Sequence, residues 1–207
     1  MINTEFLNEI KRLRSIADTG LLYTKNEYDK ERYEELQKIS FRLLNTFSGV
    51  SMQDLKFMLP QAKDYPTAKV DIRGLALSDN NKILMVKESV DGKWSLPGGW
   101  GDIGYSPKET IIKECKEETG LDIIPQRLLA VFDKKMHAHP PQPFYVYKMV
   151  FYCKIISNEL IKGFDVSDIG YFTIENLPEL SADRILKSQV ELLYHKIITG
   201  DQDVYVD

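Results

Sequence analysis

Cysteine is scarce in this sequence of 207 residues, and long apolar runs are missing. The two cysteines, Cys115 and Cys153, are too few for a disulfide framework or for the ligand spacing of a structural zinc site. Both lie in apolar patterns, which favours small core residues. No apolar run approaches the roughly 18 residues of a membrane-spanning helix. The N-terminal stretch also lacks the apolar segment of a secretory signal. We therefore expect a cytoplasmic protein without a membrane partner.

Neither sign of charge dominates. The chain has 31 acidic and 27 basic side chains, a formal net charge of −4, with 43% hydrophobic and 28% charged residues. That composition is typical of a folded globular protein. It lacks the basic footprint of a duplex nucleic-acid binder. The net charge does not exclude a short or single-stranded RNA end as a substrate bound through a metal ion.

Helical periodicity dominates residues 1–62. Apolar residues recur at helical spacing in three stretches: 6–20, 29–47 and 51–59. Pro60 ends the third helix, and residues 61–67 have the composition of a linker. Three helices of this size bury little apolar surface alone. We therefore expect a small helical N-terminal domain that packs on the main domain, on a second subunit, or on both.

Residues 63–207 carry short strand patterns that surround one helix and precede another. The turn at 78–81 predicts a hairpin between its two flanking strands, and Ser181 predicts the cap of a last helix that reaches residue 197. The predicted strands cover residues 69–77, 83–87, 122–125, 127–135, 144–155 and 169–173. This order predicts an α+β protein, with the second domain built as a mixed α/β sandwich.

A glycine-rich loop leads into the helix between those strands. The segment from Leu96 to Leu121 reads LPGGWGDIGYSPKETIIKECKEETGL. Ser106 and Glu109 form the pattern of a capping box, and Gly120 stands where a helix ends. We therefore predict a helix from about residue 107 to residue 119.

Three carboxylates crowd one face of this helix. Glu114, Glu117 and Glu118 fall within about 100° of arc. Like charges four residues apart destabilise a helix by a few tenths of a kcal/mol. A hard divalent cation, which prefers oxygen ligands, would offset that repulsion. The alternative is a solvated face on which Lys113 and Lys116 pair with nearby acids. The preceding Gly-Gly turn, which lets backbone approach a ligand, favours the cation.

These residues resemble the Nudix box, G-x5-E-x7-R-E-U-x-E-E-x-G-U, in which U is a bulky apolar residue. Two positions depart from it, because Tyr105 replaces a glutamate and Lys113 replaces an arginine. Those two family residues are thought to pair with each other. The matching residues are Gly99, Glu114, Cys115, Glu117, Glu118, Gly120 and Leu121.

The resemblance extends over nearly the whole chain. The N-terminal helices, the segment 70–74 and the loop 139–144 resemble one Nudix branch with a helical N-terminal domain. It implies a mixed sheet between helices, a homodimer, and hydrolysis of a nucleoside diphosphate derivative. Members of this branch are described as pyrophosphatases for CDP-choline or ADP-ribose. We place CDP-choline first and ADP-ribose second.

The resemblance also implies the site. Glu114, Glu117 and Glu118 would hold Mg²⁺ or Mn²⁺. The carbonyl of Gly98 is a further candidate ligand. Glu117 is the first candidate for the general base. Asp165 in the loop 163–168 is the second, although it fits a turn-capping acid equally well.

Four further residues are candidates for substrate binding: Arg73, Gly99, Tyr105 and His139. Arg73 suits a phosphate, but a salt bridge at the edge of the core is as plausible. Tyr105 suits stacking or packing. His139 suits a phosphate or base, or is an ordinary loop histidine. Two other functions stay open: a nucleotide sensor without activity, and hydrolysis of RNA ends by the same metal centre.

Overall fold

The computed structural model describes residues 4–59, 63–157 and 159–207. Two compact units are present. One contains the helical N-terminal part together with residues 141–145, and the other contains residues 69–140 and 146–207. No helix in the described ranges is long and apolar enough to cross a bilayer. The predicted effect of Pro60, and part of the predicted linker, fall outside these ranges.

Three helices build the first unit: α1 (Thr4–Tyr23), α2 (Glu27–Ser48) and α3 (Met52–Met58). Side chains of Asn26 and Ser51 accept backbone hydrogen bonds at the N-termini of α2 and α3, as their residue types favour. The predicted cap at Ser51 is confirmed. The core of the unit is formed by Leu7, Ile10, Leu44 and Leu55.

Helix α1 differs from its prediction at the start of its apolar stripe and at its end. Of the predicted stripe of Phe6, Ile10, Leu13 and Ala17, Ile10 and Ala17 are buried, but Phe6 is 43% exposed and the neighbouring Leu7 is buried. The helix also continues through Gly20 to Tyr23. A Cβ at Gly20 would lie 2.5 Å from the ring of Tyr33. Gly20 therefore allows close packing between α1 and α2 and does not end the helix.

The described residues of the second unit form eight strands and two α-helices. The strands are β1 (Lys69–Ala76), β2 (Ile83–Glu88), β3 (Trp94–Ser95), β4 (Gly98–Trp100), β5 (Ile123–Asp133), β6 (Val146–Ile155), β7 (Val166–Phe172) and β8 (Tyr205–Val206). A mixed five-stranded sheet has the order β4-β1-β6-β5-β8, and an antiparallel three-stranded sheet has the order β3-β2-β7. The helices are α4 (Pro107–Thr119) and α5 (Lys187–Ile198). The predicted α+β class with a mixed sheet is confirmed.

Alternation along β1 divides the core of this unit into two clusters, because successive side chains of a strand point to opposite faces. Ile72 and Ala76 pack in a cluster with Ile111 of α4. Leu75 packs in a second cluster with Leu193 of α5. The sheet therefore carries a helix on each face. Asp71 and Arg73 lie on the same face of β1 as Leu75, because they are separated from it by an even number of residues.

Two local predictions fail for non-local reasons. Strands β1 and β2 join different sheets. Among the described residues, the predicted hairpin is limited to its turn and to the antiparallel bridge between Leu77 and Ile83. Helix α5 begins at Lys187 instead of near Ser181. The hydroxyl of Ser181 donates to Asp91, 90 residues away in sequence, and so does not cap the helix.

Candidate active site

The glycine loop is joined to helix α4 by a backbone hydrogen bond. The N–H of Gly98 donates to Glu118 Oε2 at 2.9 Å. Gly98 has φ of +138°, and a Cβ there would lie 2.1 Å from the carbonyl oxygen of Ile72. Only glycine fits this position, because β4 approaches β1 so closely.

The neighbouring glycine also makes room for a carboxylate. A Cβ at Gly99 would lie 2.9 Å from the carboxyl group of Glu114. Gly99 pairs with Ile72 across the β1–β4 ladder, so the loop is held by strand pairing. Each of the two glycines before the helix is therefore required for a steric reason: Gly98 avoids the backbone of Ile72, and Gly99 avoids the side chain of Glu114.

Helix α4 has the predicted bounds and caps. The side chains of Ser106 and Glu109 accept each other's backbone N–H, and Gly120 adopts the left-handed conformation with φ of +74°. Ile111 and Cys115 are buried. The helix therefore anchors its apolar stripe in the core and directs its acidic stripe towards the glycine loop.

Glu118 is a buried carboxylate with charged neighbours of both signs. It is 4% exposed. Burial raises its pKa to about 8, and the negative charges of Glu88 and Asp165 act in the same direction, while Arg73 and the N–H of Gly98 oppose them. Buried carboxylates normally need a positive partner. The carboxylate oxygens of Glu118 are therefore suitable ligands for a hard cation.

Glu114 and Glu117 lie on the same acidic stripe but in different surroundings. Glu114 is half-buried, and its pKa is raised by burial despite the proximity of Lys113. Glu117 is exposed, and its Oε2 lies 3.9 Å from Lys113 Nζ. The three box glutamates thus share one helix face and range from buried to exposed.

Oxygen donors of this kind fit Mg²⁺ or Mn²⁺. Among residues 4–59, 63–157 and 159–207, no three acidic, histidine or cysteine side chains lie close enough together to hold a metal ion. Glu118 is bonded to Gly98, and Glu117 lies beside Lys113. Convergence on one cation therefore requires rotation of the glutamate side chains, which the exposed position of Glu117 permits.

The loop that carries Asp165 packs against the C-terminal end of α4. Gly163 N–H donates to the carbonyl of Glu118 at 3.0 Å. A Cβ at Gly163 would lie 2.1 Å from the carbonyl oxygen of Glu117. Asp165 is exposed and contributes to the raised pKa of Glu118. The structure therefore brings this second candidate base near the box glutamates.

Arg73 occupies a buried network that the sequence pattern did not indicate in full. Its Nε donates to Asp71 at 2.9 Å and its Nη1 to the carbonyl of Leu96 at 3.1 Å. Lys148 is fully buried and donates to the other oxygen of Asp71. Although burial favours the neutral acid, Arg73 and Lys148 lower the pKa of Asp71 to about 2. Arg73 thus forms a buried salt bridge, the alternative to phosphate binding that the sequence left open.

Glu88 closes this network on its other side. Its Oε1 accepts from Ser95 at 2.6 Å and lies 2.7 Å from Arg184 Nε. Asp71, Glu88 and Lys148 were not among the site residues predicted from the sequence. Charged residues at core positions of two predicted strands were the available signal.

The other two substrate candidates have opposite environments. His139 is buried; its Nδ1 lies 2.6 Å from the carbonyl oxygen of Ala182, and its Nε2 has no hydrogen-bond partner within the described ranges. Burial lowers its pKa to about 4, so the ring is neutral and Nε2 is an acceptor. Tyr105 is exposed, and Lys113 Nζ lies 5.3 Å from its ring centre.

Two known families match consecutive parts of the sequence. Residues 68–193 match the NUDIX domain. Residues 4–59 match a UDP-X-like N-terminal oligomerisation domain. Together the two matches cover most of the chain.

Individual relatives cover all or a large part of the chain. The sequence is 39% identical over 206 residues to a putative ADP-ribose pyrophosphatase of Bacillus subtilis, covering 100% of this chain and 99% of the relative. The structure resembles that of a UDP-X diphosphatase, with a TM-score of 0.64, 37% identity and full coverage of both chains. It also resembles an ADP-ribose pyrophosphatase from Streptococcus suis, with a TM-score of 0.62 and 33% identity, covering 68% of this chain and 100% of that one.

Proposed function

The chain belongs to the Nudix family of hydrolases, and from that premise we propose that it cleaves the pyrophosphate bond of a nucleoside diphosphate linked to another group. The observation that carries this proposal is the hydrogen bond from Gly98 to the buried Glu118. It joins a backbone loop that can approach a diphosphate to a helix face that can hold a cation.

We assign the cation to Glu114, Glu117 and Glu118, with the carbonyl of Gly98 as a further ligand. Mg²⁺ and Mn²⁺ both prefer such oxygen donors. When bound, the cation neutralises charge on the diphosphate and activates the attacking water. Nudix hydrolases generally depend on divalent metal ions, and the preference between these two is part of the proposal.

Glu117 is our first choice for the general base. Its carboxylate is exposed and lies among the proposed ligands, so it can accept a proton from the water that attacks phosphorus. Asp165 is the second choice, because its loop is fixed against the end of α4 through Gly163. Attack breaks one P–O bond of the bridge and releases a nucleoside monophosphate and the phosphorylated second group.

The substrate is narrowed by the relatives but not to one compound. ADP-ribose and UDP-linked groups are supported by the names of the B. subtilis relative and of the UDP-X diphosphatase. CDP-choline, our first expectation from the sequence, has no such support and stays in the panel after them. Gly99 and Tyr105 border the proposed metal face, whereas the neutral Nε2 of His139 is buried and does not reach the surface. Arg73 would act through the loop that it holds at Leu96.

We also propose a homodimer built through residues 4–59. Its support is the match of this segment to an oligomerisation domain. Sedimentation of the purified protein tests this assignment, and a monomer at micromolar concentration would contradict it.

The test of the proposed reaction is a substrate panel with the metal varied. ADP-ribose, a UDP-sugar, CDP-choline and a 5′-capped oligonucleotide are each incubated with Mg²⁺, with Mn²⁺ and with a chelator. Metal-dependent release of a nucleoside monophosphate is the expected result. Binding of a nucleotide without turnover would favour a sensor, and cleavage of the oligonucleotide alone would favour RNA ends as the substrate.

A further inference from the structure

Asp102 occupies a variable position of the box pattern, yet it is the nearest acidic partner of Lys113. Its Oδ2 accepts a hydrogen bond from Lys113 Nζ at 3.1 Å. The second acid beside that ammonium group is Glu117, whose Oε2 lies 3.9 Å away. Lys113 is therefore shared between a loop acid and a proposed metal ligand, and the loop acid holds it more closely.

Tyr105 completes the surroundings of this cation. Lys113 Nζ lies 5.3 Å from the centre of the Tyr105 ring, within range of a cation–π contact. The position that holds a glutamate in the box pattern thus faces Lys113 with an aromatic ring. The carboxylate comes from three residues earlier in the same loop.

We propose that Asp102 is a positioning residue that keeps Lys113 away from Glu117 and so leaves Glu117 available to the metal ion; this inference rests on the proposed metal site. The ammonium group has three N–H donors, and its hydrogen bond to Asp102 at 3.1 Å holds Nζ on the loop side, 3.9 Å from Glu117. Without Asp102, Lys113 moves to Glu117, its neighbour four residues along the helix. The carboxylate is then neutralised by the lysine instead of by the cation.

The expected change in Mn²⁺ affinity is small, because the ion pair between Lys113 and Asp102 is partly exposed. The side chains of Lys113 and Asp102 are 33% and 54% exposed. Exposed ion pairs have small energies, which correspond to about a two- to fivefold change in an equilibrium constant. Asp102→Asn should therefore raise the dissociation constant for Mn²⁺ about two- to fivefold, with little change in kcat at saturating Mn²⁺.

The experiment measures Mn²⁺ binding by titration calorimetry without substrate, followed by kcat and the half-saturating Mn²⁺ concentration. The variants are Asp102→Asn, Lys113→Met, the double variant, and Tyr105→Glu combined with Asp102→Asn. The matched control is Asp122→Asn, which removes an acid that lies 2.9 Å from Lys116 on the same helix, with similar exposure. Thermal unfolding verifies that each variant is folded.

The proposal expects weaker Mn²⁺ binding in Asp102→Asn, recovery when Tyr105→Glu restores a carboxylate beside Lys113, and no effect of Asp102→Asn in the Lys113→Met background. Unchanged binding in Asp102→Asn overturns it. The same loss in the Lys113→Met background, or in Asp122→Asn, also overturns it, because the effect would then be simple loss of negative charge. Absence of Mn²⁺ binding by the unchanged protein overturns the proposed metal site and this inference together, whereas normal binding by both proteins overturns the inference alone.

Discussion

The N–H of Gly98 donates to the carboxylate of Glu118 at 2.9 Å, although 20 residues separate them in the sequence. This bond needs the φ of +138° at Gly98 and the close approach of its Cα to Ile72. Any side chain at position 98 would move the loop. The hydrogen bond and the glycine are therefore one structural feature.

Substitution of Gly98 by alanine should be strongly destabilising. The added Cβ would meet the carbonyl oxygen of Ile72 at 2.1 Å. We expect a loss of about 2–4 kcal/mol in the free energy of unfolding, measured by urea denaturation. Gly92→Ala is the control, because Gly92 also has positive φ but open space around it. Its cost should be about 1 kcal/mol, and equal costs for both variants would contradict the steric argument.

Glu117→Gln should remove most of the activity while leaving the fold intact. The amide cannot accept a proton from water and is a weaker ligand for a hard cation. We expect kcat to fall by about 10²-fold or more, measured on whichever compound of the panel is hydrolysed. Glu191→Gln, which removes an exposed carboxylate from α5, should retain activity. Activity of Glu117→Gln within threefold of the unchanged protein would exclude Glu117 as base and ligand.

Asp71 and Lys148 should contribute unequally to stability. Asp71→Asn leaves the buried ammonium group of Lys148 without its carboxylate, at a cost of about 3–5 kcal/mol. Lys148→Met leaves Asp71 bonded to Arg73 and should cost less, about 1–2 kcal/mol. Chemical denaturation of both variants at pH 7 compares them, and equal costs would contradict this asymmetry.

The pH dependence of Asp71→Asn follows from the lowered pKa of Asp71. The pKa is 3.8 in a model compound and about 2 in the folded protein. The unfolded chain therefore binds the proton first, and the stability that Asp71 contributes is complete above pH 3.8 and is lost as pH falls towards 2. The difference in stability between the unchanged protein and Asp71→Asn should therefore shrink as pH falls from about 4 towards 2, measured by urea denaturation.

His139 should make the protein less stable in mild acid. Its pKa is about 4 in the folded protein against 6.5 in a model compound. The unfolded chain therefore binds more protons between pH 6.5 and pH 4, so stability falls as pH falls through that window. Between pH 7 and pH 4.5 this single group should remove roughly 2 kcal/mol.

The variant His139→Asn tests this pH dependence. Asparagine keeps a donor for the carbonyl of Ala182 but has no titrating group. Its free energy of unfolding, measured in urea, should vary less with pH over that window. The control is the exposed His195→Asn, which should keep the slope of the unchanged protein. Equal slopes for the two variants would show that His139 is not the group responsible.

The features of the site that could be predicted are those formed by interactions between residues close together in the sequence. Helix α4 has its predicted bounds at Pro107 and Thr119, because Ser106, Glu109 and Gly120 satisfy its ends locally. Val190 and Leu193, which lie three residues apart on α5, are both buried, as helical spacing predicts. The reaction type was then predicted from the resemblance of the glycine loop and the three glutamates to the Nudix box.

The sequence by itself thus determined the helix, its acidic stripe, the α+β class and the family. Only the tertiary structure decided that β1 and β2 join different sheets, that Ser181 binds Asp91, and that Lys113 bonds to Asp102. The physical reason is the range of the interactions. Caps and helix stripes are satisfied within one or two turns of chain, whereas strand pairing and buried ion pairs depend on which distant residues compete for the same partner.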